Sequence, residues 1–295
     1  MQDHPVRSHS YKGPVTDTAI WDDFDLRPDD VILSTPPKCG TTWSQAIVMM
    51  LIHDAAITDR MVWRDSVWLD CAFRNHDDQI KNLKEQEHIR CIKSHTPFDG
   101  IPFDPHIVYL AVYRHPIDVH FSMMKHVENM ESDLLDFLSP PEPGAAFRRF
   151  LEVPANDTGT DDLTLGSLLL HYRSFARWAH LPNVHLFHYA DLSRDLPACI
   201  RRYGEAIGLP PSGALVGEIA QAASFRAMKA TTRKISSTAS SGLTRLEQKF
   251  FDSGTSNKWV GRLSDAEISA YDKRISELTS PEERAWLEGG DTALR

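Results

Sequence analysis

The sequence lacks several features that would define its class at once. It contains four cysteines in 295 residues, with no CxxC pair and no histidine nearby at zinc-ligand spacing, so neither a disulfide framework nor a metal site is predicted. No run approaches the about 18 apolar residues that a membrane span requires, and the first ten residues are polar rather than signal-like. We therefore expect a cytoplasmic protein with reduced thiols and no membrane partner.

The sequence also lacks an excess of positively charged residues. The formal net charge is -9, which argues against nucleic acid as a partner. Any anionic ligand must therefore be held by a local positive pocket. The hydrophobic content of 41% is sufficient for a buried core.

Strand and helix signals alternate from about Val31 to the end, without a repeat or a long low-complexity linker. This pattern predicts an α/β fold, with a mostly parallel sheet flanked by helices, in a single domain over residues 1–295. The predicted strands are residues 31–34, 90–93, 107–113 and 184–189. The predicted helices are residues 42–53, 116–130, 165–180, 196–207, 215–228 and 264–278. Loops are expected at residues 139–144, 152–162 and 236–242, the last a candidate lid.

The segment from Val31 to Trp43 reads as a strand, a turn that contains Gly40 and a helix start. Backbone amides at a helix N-terminus bind anions, so the amides around Gly40, Thr41 and Thr42 predict a phosphate site. Lys38 adds a full positive charge that can neutralise a leaving-group oxygen. The alternative is a structural turn with threonine caps and a surface lysine. A Walker loop is disfavoured because Lys38 precedes the glycine and no glycine opens the loop.

The segment from Pro36 to Trp43 resembles the donor-binding loop Tyr-Pro-Lys-Ser-Gly-Thr-Thr-Trp of cytosolic sulfotransferases. The resemblance extends from about Val31 to Trp259. It implies a P-loop-like nucleotide-binding fold and 3′-phosphoadenosine 5′-phosphosulfate (PAPS) as the donor, with no metal. It also implies that Lys38, Cys39, Gly40, Thr41 and Thr42 bind the donor, with Lys38, Thr41 and Thr42 around the phosphosulfate and Trp43 against the adenine. Cys39 replaces the family's serine; its thiol either has a lowered pKa beside Lys38 or simply packs.

A second segment, from Cys91 to Pro97, ends a predicted strand in a proline-bearing turn, where open α/β sheets bind ligands. It resembles the family's Lys-Thr-His-x-Pro motif, which implies His95 as the general base and Lys93 as a helper. An imidazole suits this role because its pKa of about 6.5 allows it to accept a proton near neutral pH. A lone histidine can equally be structural.

Other segments resemble the nucleotide-binding motifs of the family more loosely. Arg114 and Ser122 match the spacing of its 3′-phosphate motif, and arginine binds phosphate oxygens in pairs. By the same resemblance, Tyr189 and Phe225 flank the adenine, and Met228 lies in the nucleotide site. The alternative is that the two aromatic residues belong to the core.

The last motif departs from the family pattern. The loop from Phe250 to Trp259 retains Gly254 as a donor-binding candidate, but Asp252 and Ser253 replace the family's Arg-Lys pair. A carboxylate there would repel a phosphate, and either Lys258 or Arg262 is a candidate to compensate. No match to the family's C-terminal dimer motif is present, and the sequence leaves the oligomeric state open.

The predicted reaction is in-line transfer of a sulfuryl group to a hydroxyl, or an amine, of a small-molecule acceptor. Candidate residues lining the acceptor site are Trp63, Trp68, Phe73 and Phe98. Two alternatives are a kinase-like P-loop enzyme, which needs magnesium, and a nucleotide-binding protein without catalysis. The identity of the acceptor is not encoded in a recognisable motif.

Overall fold

The protein is represented by a computed structural model that describes residues 3–56, 64–129, 133–138, 140, 142, 144–155, 161–236, 256–257 and 259–294. Its sheet has four strands in the order β2-β1-β3-β4, and each pairing is parallel. The strands are Val31–Ser34 (β1), Cys91–Ser94 (β2), Val108–Tyr113 (β3) and Val184–His188 (β4). The predicted α/β fold and the parallel sheet are confirmed.

The sheet is buried on both faces, which explains why its strands are almost continuously apolar. Ile32, Tyr109 and Ala111 belong to the core cluster on one face, whereas Leu33 and Leu110 belong to the cluster on the other. Side chains alternate across a strand, so each strand contributes to both layers of helices.

The described residues form eleven α-helices around this sheet. They are Thr41–Ile52 (α1), His76–Lys84 (α2), Pro116–Val127 (α3), Ala145–Glu152 (α4), Leu165–Ala176 (α5), Tyr189–Arg194 (α6), Leu196–Ala206 (α7), Gly213–Ala222 (α8), Phe225–Ser236 (α9), Asp265–Leu278 (α10) and Pro281–Gly289 (α11). Short 3₁₀ helices lie at Thr18–Asp22, Phe98–Gly100, Asp133–Leu138 and Asp291–Leu294. None of the helices in the described parts of the chain is both long and apolar enough to cross a membrane.

Several predicted helices have different bounds in the structure. The single helix expected over residues 215–228 is wrong, because α8 ends before Ala223 and Ser224 starts α9 by accepting a hydrogen bond from the amide of Ala227 at 3.3 Å. The helices expected over residues 116–130 and 165–180 end earlier, at Val127 and Ala176. Trp178, in the turn after α5, still packs in the core, so the apolar pattern continues beyond the end of that helix.

Helices α2, α4, α6 and α11 were not predicted. Helix α11 nevertheless carries a recognisable start signal, since Ser280 and Glu283 form a capping box around Pro281. A capping box of Ser264 and Glu267 also starts α10, within the helix predicted over residues 264–278. Helix α4 lies between the loops expected at residues 139–144 and 152–162 and shares only Glu152 with the second. The candidate lid, residues 236–242, lies outside the described residues beyond Ser236.

A buried ion pair joins the residues that precede β1 and β2. Nε and Nη2 of Arg90 donate to the two carboxylate oxygens of Asp30 at 2.6 and 2.5 Å, and the two side chains are 1% and 0% exposed. The guanidinium also lies 4.7 Å from the ring centre of Phe24. Removal of one partner leaves the other charge buried and uncompensated.

We therefore predict that Asp30→Ala lowers the free energy of unfolding by about 3–5 kcal/mol, measured by urea denaturation. The matched control is Asp22→Ala, which removes an ion pair with Arg7 in which the aspartate is 70% exposed. That change is expected to cost less than about 1 kcal/mol. Similar small effects for the two variants would contradict the structural role of the buried pair.

Candidate active site

The predicted site residues follow the carboxyl ends of the four strands. Because the strands are parallel, these ends meet at one edge of the sheet. Thr35 follows β1, His95 follows β2, Arg114 follows β3 and Tyr189 follows β4. The fold therefore brings together segments that are widely separated in the sequence.

The turn between β1 and α1 has the backbone of an anion-binding loop. Lys38 and Gly40 adopt left-handed conformations, with φ of 71° and 114°, and Gly40 is the N-cap of α1. Glycine has no side chain, so the N-cap residue forms no side-chain hydrogen bond to the first turn of α1. Its amides and the positive end of the helix dipole are thus available to an anionic ligand.

Gly40 is required at this position for two reasons. A Cβ atom there would lie 3.1 Å from Cδ2 of Tyr189, and the left-handed backbone disfavours other residues. Tyr189 therefore packs directly against the loop.

Cys39 does not direct its thiol toward the loop. The side chain is 0% exposed in the core, and burial raises the pKa of the thiol to about 12 despite the nearby charge of Arg114. The hypothesis of a lowered thiol pKa is wrong, and the packing alternative fits the structure. Any contact of Cys39 with a donor would come from its backbone.

His95 is held in one tautomer by the loop after β1. Its Nδ1–H donates to the carbonyl oxygen of Thr35 at 2.6 Å, since a carbonyl can only accept. Nε2 then carries the lone pair. Burial, followed by the charge of Lys93, keeps the pKa of His95 well below 6.5, so the imidazole is neutral at neutral pH.

Lys93 and His95 both lie against the indole of Trp68. Its Nζ is 4.0 Å from the ring centre of Trp68, and that indole meets the His95 ring edge-on at 4.8 Å. Burial lowers the pKa of Lys93 to about 7. The ammonium is therefore poised to gain or lose its proton near neutral pH.

The residues predicted for the adenine and the 3′-phosphate form a continuous group. The Arg114 guanidinium lies 4.2 Å from the ring centre of Tyr189, which is 5.3 Å from that of Trp43. Trp43 donates from Nε1 to the carbonyl oxygen of Ala223 at 2.8 Å and packs on the core cluster that includes Met228. This fixes the indole at the junction of α8 and α9.

Phe225 is the first residue of α9 and is half-buried. The Lys229 ammonium lies 5.6 Å from the centre of its ring. It follows the junction to which Trp43 is bound. Met228, one turn further along α9, is buried in the core. The two residues thus lie on the helix that adjoins the indole.

Ser122 lies on α3, one turn beyond Asp118 on the same helix face, and Asp118 is 3.8 Å from Arg114. The chain returns to this helix near its end: the amide of Asn257 donates to Asp118 at 3.0 Å. The Arg262 guanidinium lies 5.8 Å from the ring centre of Phe121, next to Ser122 in sequence. Gly254, Asp252, Ser253, Lys258 and Trp63 lie outside the described residues.

A cleft of about 440 Å³, including its open mouth, begins at the prolines that precede Lys38. It is lined by Pro36, Pro37, His95, Pro97, Val119, His120, Met123, Phe150, Leu163, Thr164, Ser167, Leu168 and His171. Burial lowers the pKa of His120 to about 4 and that of His171 to about 3, so both are neutral at neutral pH. The cleft is therefore largely apolar, with hydrogen-bonding groups but no charged side chain in its lining.

The aromatic residues proposed for the acceptor site divide between two environments. Phe98 is fully buried and stacks on Phe175 at 4.5 Å, so its assignment to the lining is wrong. Trp68 and Phe73 meet edge-on at 5.6 Å near His95, and Phe73 is 40% exposed.

Comparison with known proteins identifies the family. A model described as a sulfotransferase domain matches residues 28–281. A glycolipid sulfotransferase of Mycobacterium bovis is 31% identical over 98% of this chain and 97% of the relative. The chain belongs to the sulfotransferase family. Human sulfotransferase 1E1 is 27% identical to it over 71% of this chain and 70% of the human protein.

Solved structures share the fold of this sulfotransferase. Mouse sulfotransferase SULT7A1, complexed with PAP, superposes with a TM-score of 0.70 at 22% identity, covering 95% of this chain and 96% of the mouse chain. Retinol dehydratase, in complex with retinol and PAP, gives a TM-score of 0.66 at 20% identity, covering 88% and 84%. The predicted family resemblance is confirmed.

Some residues of the sulfotransferase site were not predicted from the sequence. His126 on α3 is one: the positive charge of Lys38, followed by burial, lowers its pKa to about 3. His171 is another, with its ring between the hydroxyls of Ser34 and Tyr113 at 3.0 Å from each. The signal for both is weak, because an isolated histidine in a helix has no characteristic spacing.

Asp70 is the third residue that was missed, and it organises the surroundings of His95. Its buried carboxylate accepts hydrogen bonds from Ser94 at 2.6 Å and Thr96 at 2.7 Å, the two residues on either side of His95. It also accepts from the indole nitrogens of Trp21 and Trp68 at 3.1 and 3.0 Å. Asp70 thus holds both the backbone that carries His95 and the indole packed against it.

We predict that Asp70→Asn lowers kcat more than it raises the donor KM, because it misplaces His95 while the loop after β1 keeps its own backbone. The NH₂ group of the new asparagine would face hydroxyl and indole groups that are themselves hydrogen-bond donors. This mismatch is expected to lower the free energy of unfolding by about 1–3 kcal/mol. The measurement is steady-state sulfuryl transfer together with urea denaturation.

Asp30→Asn is the matched control, since it alters another fully buried carboxylate at the opposite edge of the sheet. It should lose stability with little change in kcat. Equal losses of kcat in the two variants would assign Asp70 a purely structural role.

Proposed function

We propose that this sulfotransferase moves the sulfuryl group of PAPS to a hydroxyl of a small-molecule acceptor, with His95 as the general base. The observation that carries the proposal is the 2.6 Å hydrogen bond from His95 to Thr35. It ties the candidate base to the loop that holds Lys38, and it leaves Nε2 able to accept a proton.

The loop fits the phosphosulfate end of the donor. Lys38 and the first-turn amides of α1 provide the positive charge, and glycine at position 40 allows close approach of the backbone. The Thr41 hydroxyl lies 2.5 Å from that of Thr35, and Thr42 is half-buried beside it. These groups would bind the phosphate, and Lys38 would stabilise the negative charge that develops on the departing nucleotide.

The group around Arg114 fits the nucleotide end. Trp43 and Tyr189 offer aromatic faces and edges for a purine, and Arg114 offers a planar cation for the 3′-phosphate. Asp252 and Ser253 lack the positive charge of the family's Arg-Lys pair, and Arg262 is a candidate to supply it. The Arg262 guanidinium approaches α3 next to Ser122.

The acceptor would enter the cleft that begins at Pro36 and Pro37, directly before Lys38 in the chain. His95 Nε2 would take the hydroxyl proton as the acceptor oxygen bonds to sulfur and the bond from sulfur to the phosphate oxygen breaks. Because the pKa of His95 is low, the proton moves only as the bond between the acceptor oxygen and sulfur forms. The apolar lining favours an acceptor with an apolar part beside its hydroxyl. Because two relatives are named glycolipid sulfotransferases, the first acceptors to test are molecules that carry a sugar hydroxyl beside an apolar chain.

The test is a donor-consumption assay with PAPS and a panel of hydroxyl and amine acceptors. We predict that His95→Ala lowers kcat by about 10²- to 10⁴-fold with little change in PAP affinity, whereas Lys38→Ala lowers both. His180→Ala, at an exposed position, is the control and should retain full activity. Full transfer by His95→Ala would rule out the proposed base. PAP binding without turnover in the wild-type protein would support the non-catalytic alternative, and magnesium-dependent hydrolysis of ATP would support the kinase-like one.

A separate prediction concerns the proton on Lys93. With a pKa of about 7, this lysine is charged below pH 7 and loses its charge as the pH rises through that value. An anionic nucleotide nearby favours the charged form and raises the pKa. PAP binding at pH 7.5 should therefore take up protons.

The measurement is the dependence of the PAP binding enthalpy on the ionisation enthalpy of the buffer. Lys93→Met keeps the length of the chain without the charge and should remove the proton uptake. A binding enthalpy that is the same in all buffers for the wild-type protein would contradict the prediction.

A further inference from the structure

Two histidines and an aspartate meet at the amino edge of the sheet, away from the site described above. They are His53, directly after α1, Asp65, which precedes the segment paired with β2, and His88, which precedes β2. One ligand atom from each lies within 4.8 Å of the others. Nothing in the proposed transfer reaction uses them.

Each imidazole contributes one ring nitrogen to this cluster. Nδ1–H of His88 donates to the carbonyl oxygen of Ile89 at 2.7 Å, which leaves Nε2 as the lone-pair nitrogen. The ring of His53 lies 4.7 Å away at an angle of 66°. Nε2 of His53 is buried, and no group among the described residues forms a hydrogen bond with it. A buried nitrogen in this state is costly, and a bound cation would satisfy it.

Asp65 offers a third ligand atom and a negative charge. Its residue is 5% exposed, and its backbone is held by a 2.9 Å hydrogen bond from Gln86 to its carbonyl oxygen. Nε and Nη2 of Arg64 bind the carboxylate at 2.5 and 2.8 Å, one to each oxygen, so each oxygen retains a further lone pair. The Arg64 side chain is 69% exposed and can move aside without desolvation. The carboxyl end of the α1 dipole adds a partial negative charge at His53.

We propose that His53, Asp65 and His88 bind a divalent transition-metal ion, for which zinc is the first probe. Two imidazole nitrogens and one carboxylate oxygen form a borderline donor set of the kind zinc prefers, with water completing the coordination. Ligand atoms around tetrahedral zinc are roughly 3.3 Å apart, so the present arrangement needs a modest closing rotation of the side chains. The proposal adds a metal to a sequence for which none was predicted.

The metal would act on stability rather than on sulfuryl transfer. Helix α1 is twelve residues long, so His53 is about 18 Å from the donor loop at the other end of this helix. An ion bound only to the folded state raises the midpoint of thermal unfolding. Zinc should thus join the end of α1 to the segments on either side of α2.

The experiment uses the full-length protein after chelator treatment and dialysis. Zn²⁺ is titrated by calorimetry and Co²⁺ by its visible absorption, with one ion per chain and tetrahedral Co²⁺ bands expected. His53→Ala, Asp65→Asn and His88→Ala should each weaken Zn²⁺ binding at least about tenfold. His53→Gln, which retains a polar side chain of similar size, tests the same ligand if the alanine variant does not fold.

His106→Ala is the matched control, because His106 forms an exposed pair with Asp104 at 2.9 Å and belongs to no three-residue cluster among the described residues. It should bind Zn²⁺ like the wild-type protein and show the same rise in Tm. Equal Zn²⁺ affinity in the wild-type protein and all ligand variants, or no Co²⁺ band at stoichiometric metal, would overturn the proposal. Sulfuryl transfer measured in parallel separates this outcome from a failure of the proposed reaction.

Discussion

Parallel pairing on both sides of β1 is the constraint on which the rest of the structure depends. Since β1 lies between β2 and β3, and β3 pairs with β4, the four strands end at one edge of the sheet. There the chain places Thr35, His95, Arg114 and Tyr189, each in the turn or helix start that follows a strand. A left-handed turn at Lys38 then begins α1 with its amides toward the same edge.

The opposite, amino edge of the sheet is held together by a buried ion pair. The buried ion pair of Asp30 and Arg90 joins the starts of β1 and β2, where both charges are removed from water and depend on each other. Helix α1 connects the two edges, from the donor loop to His53. The charges of Asp30 and Arg90 neutralise each other within the protein, whereas the proposed donor site at the carboxyl edge would present its positive groups to an anionic ligand. Because the two edges are separate, a substitution at the amino edge can serve as a control for a substitution at the carboxyl edge.

Burial decides the charge states at the site. It lowers the pKa of Lys93 to about 7 and keeps His95 neutral, as the proposed role of His95 as a general base requires. It also raises the pKa of Cys39 to about 12, although the sequence places this thiol beside a lysine. A neighbouring charge is visible in a sequence, but the exposure of a side chain depends on packing.

The sequence by itself determined the family and the parallel α/β sheet, because these are encoded by local patterns and short motifs. The tertiary structure alone decided where α8 ends and α9 begins, that Phe98 is core, and that Asp70 holds the segment around His95. These features depend on contacts between residues far apart in the chain. Side-chain burial and partners at such distances have no periodic signal, so only the packed fold could specify them.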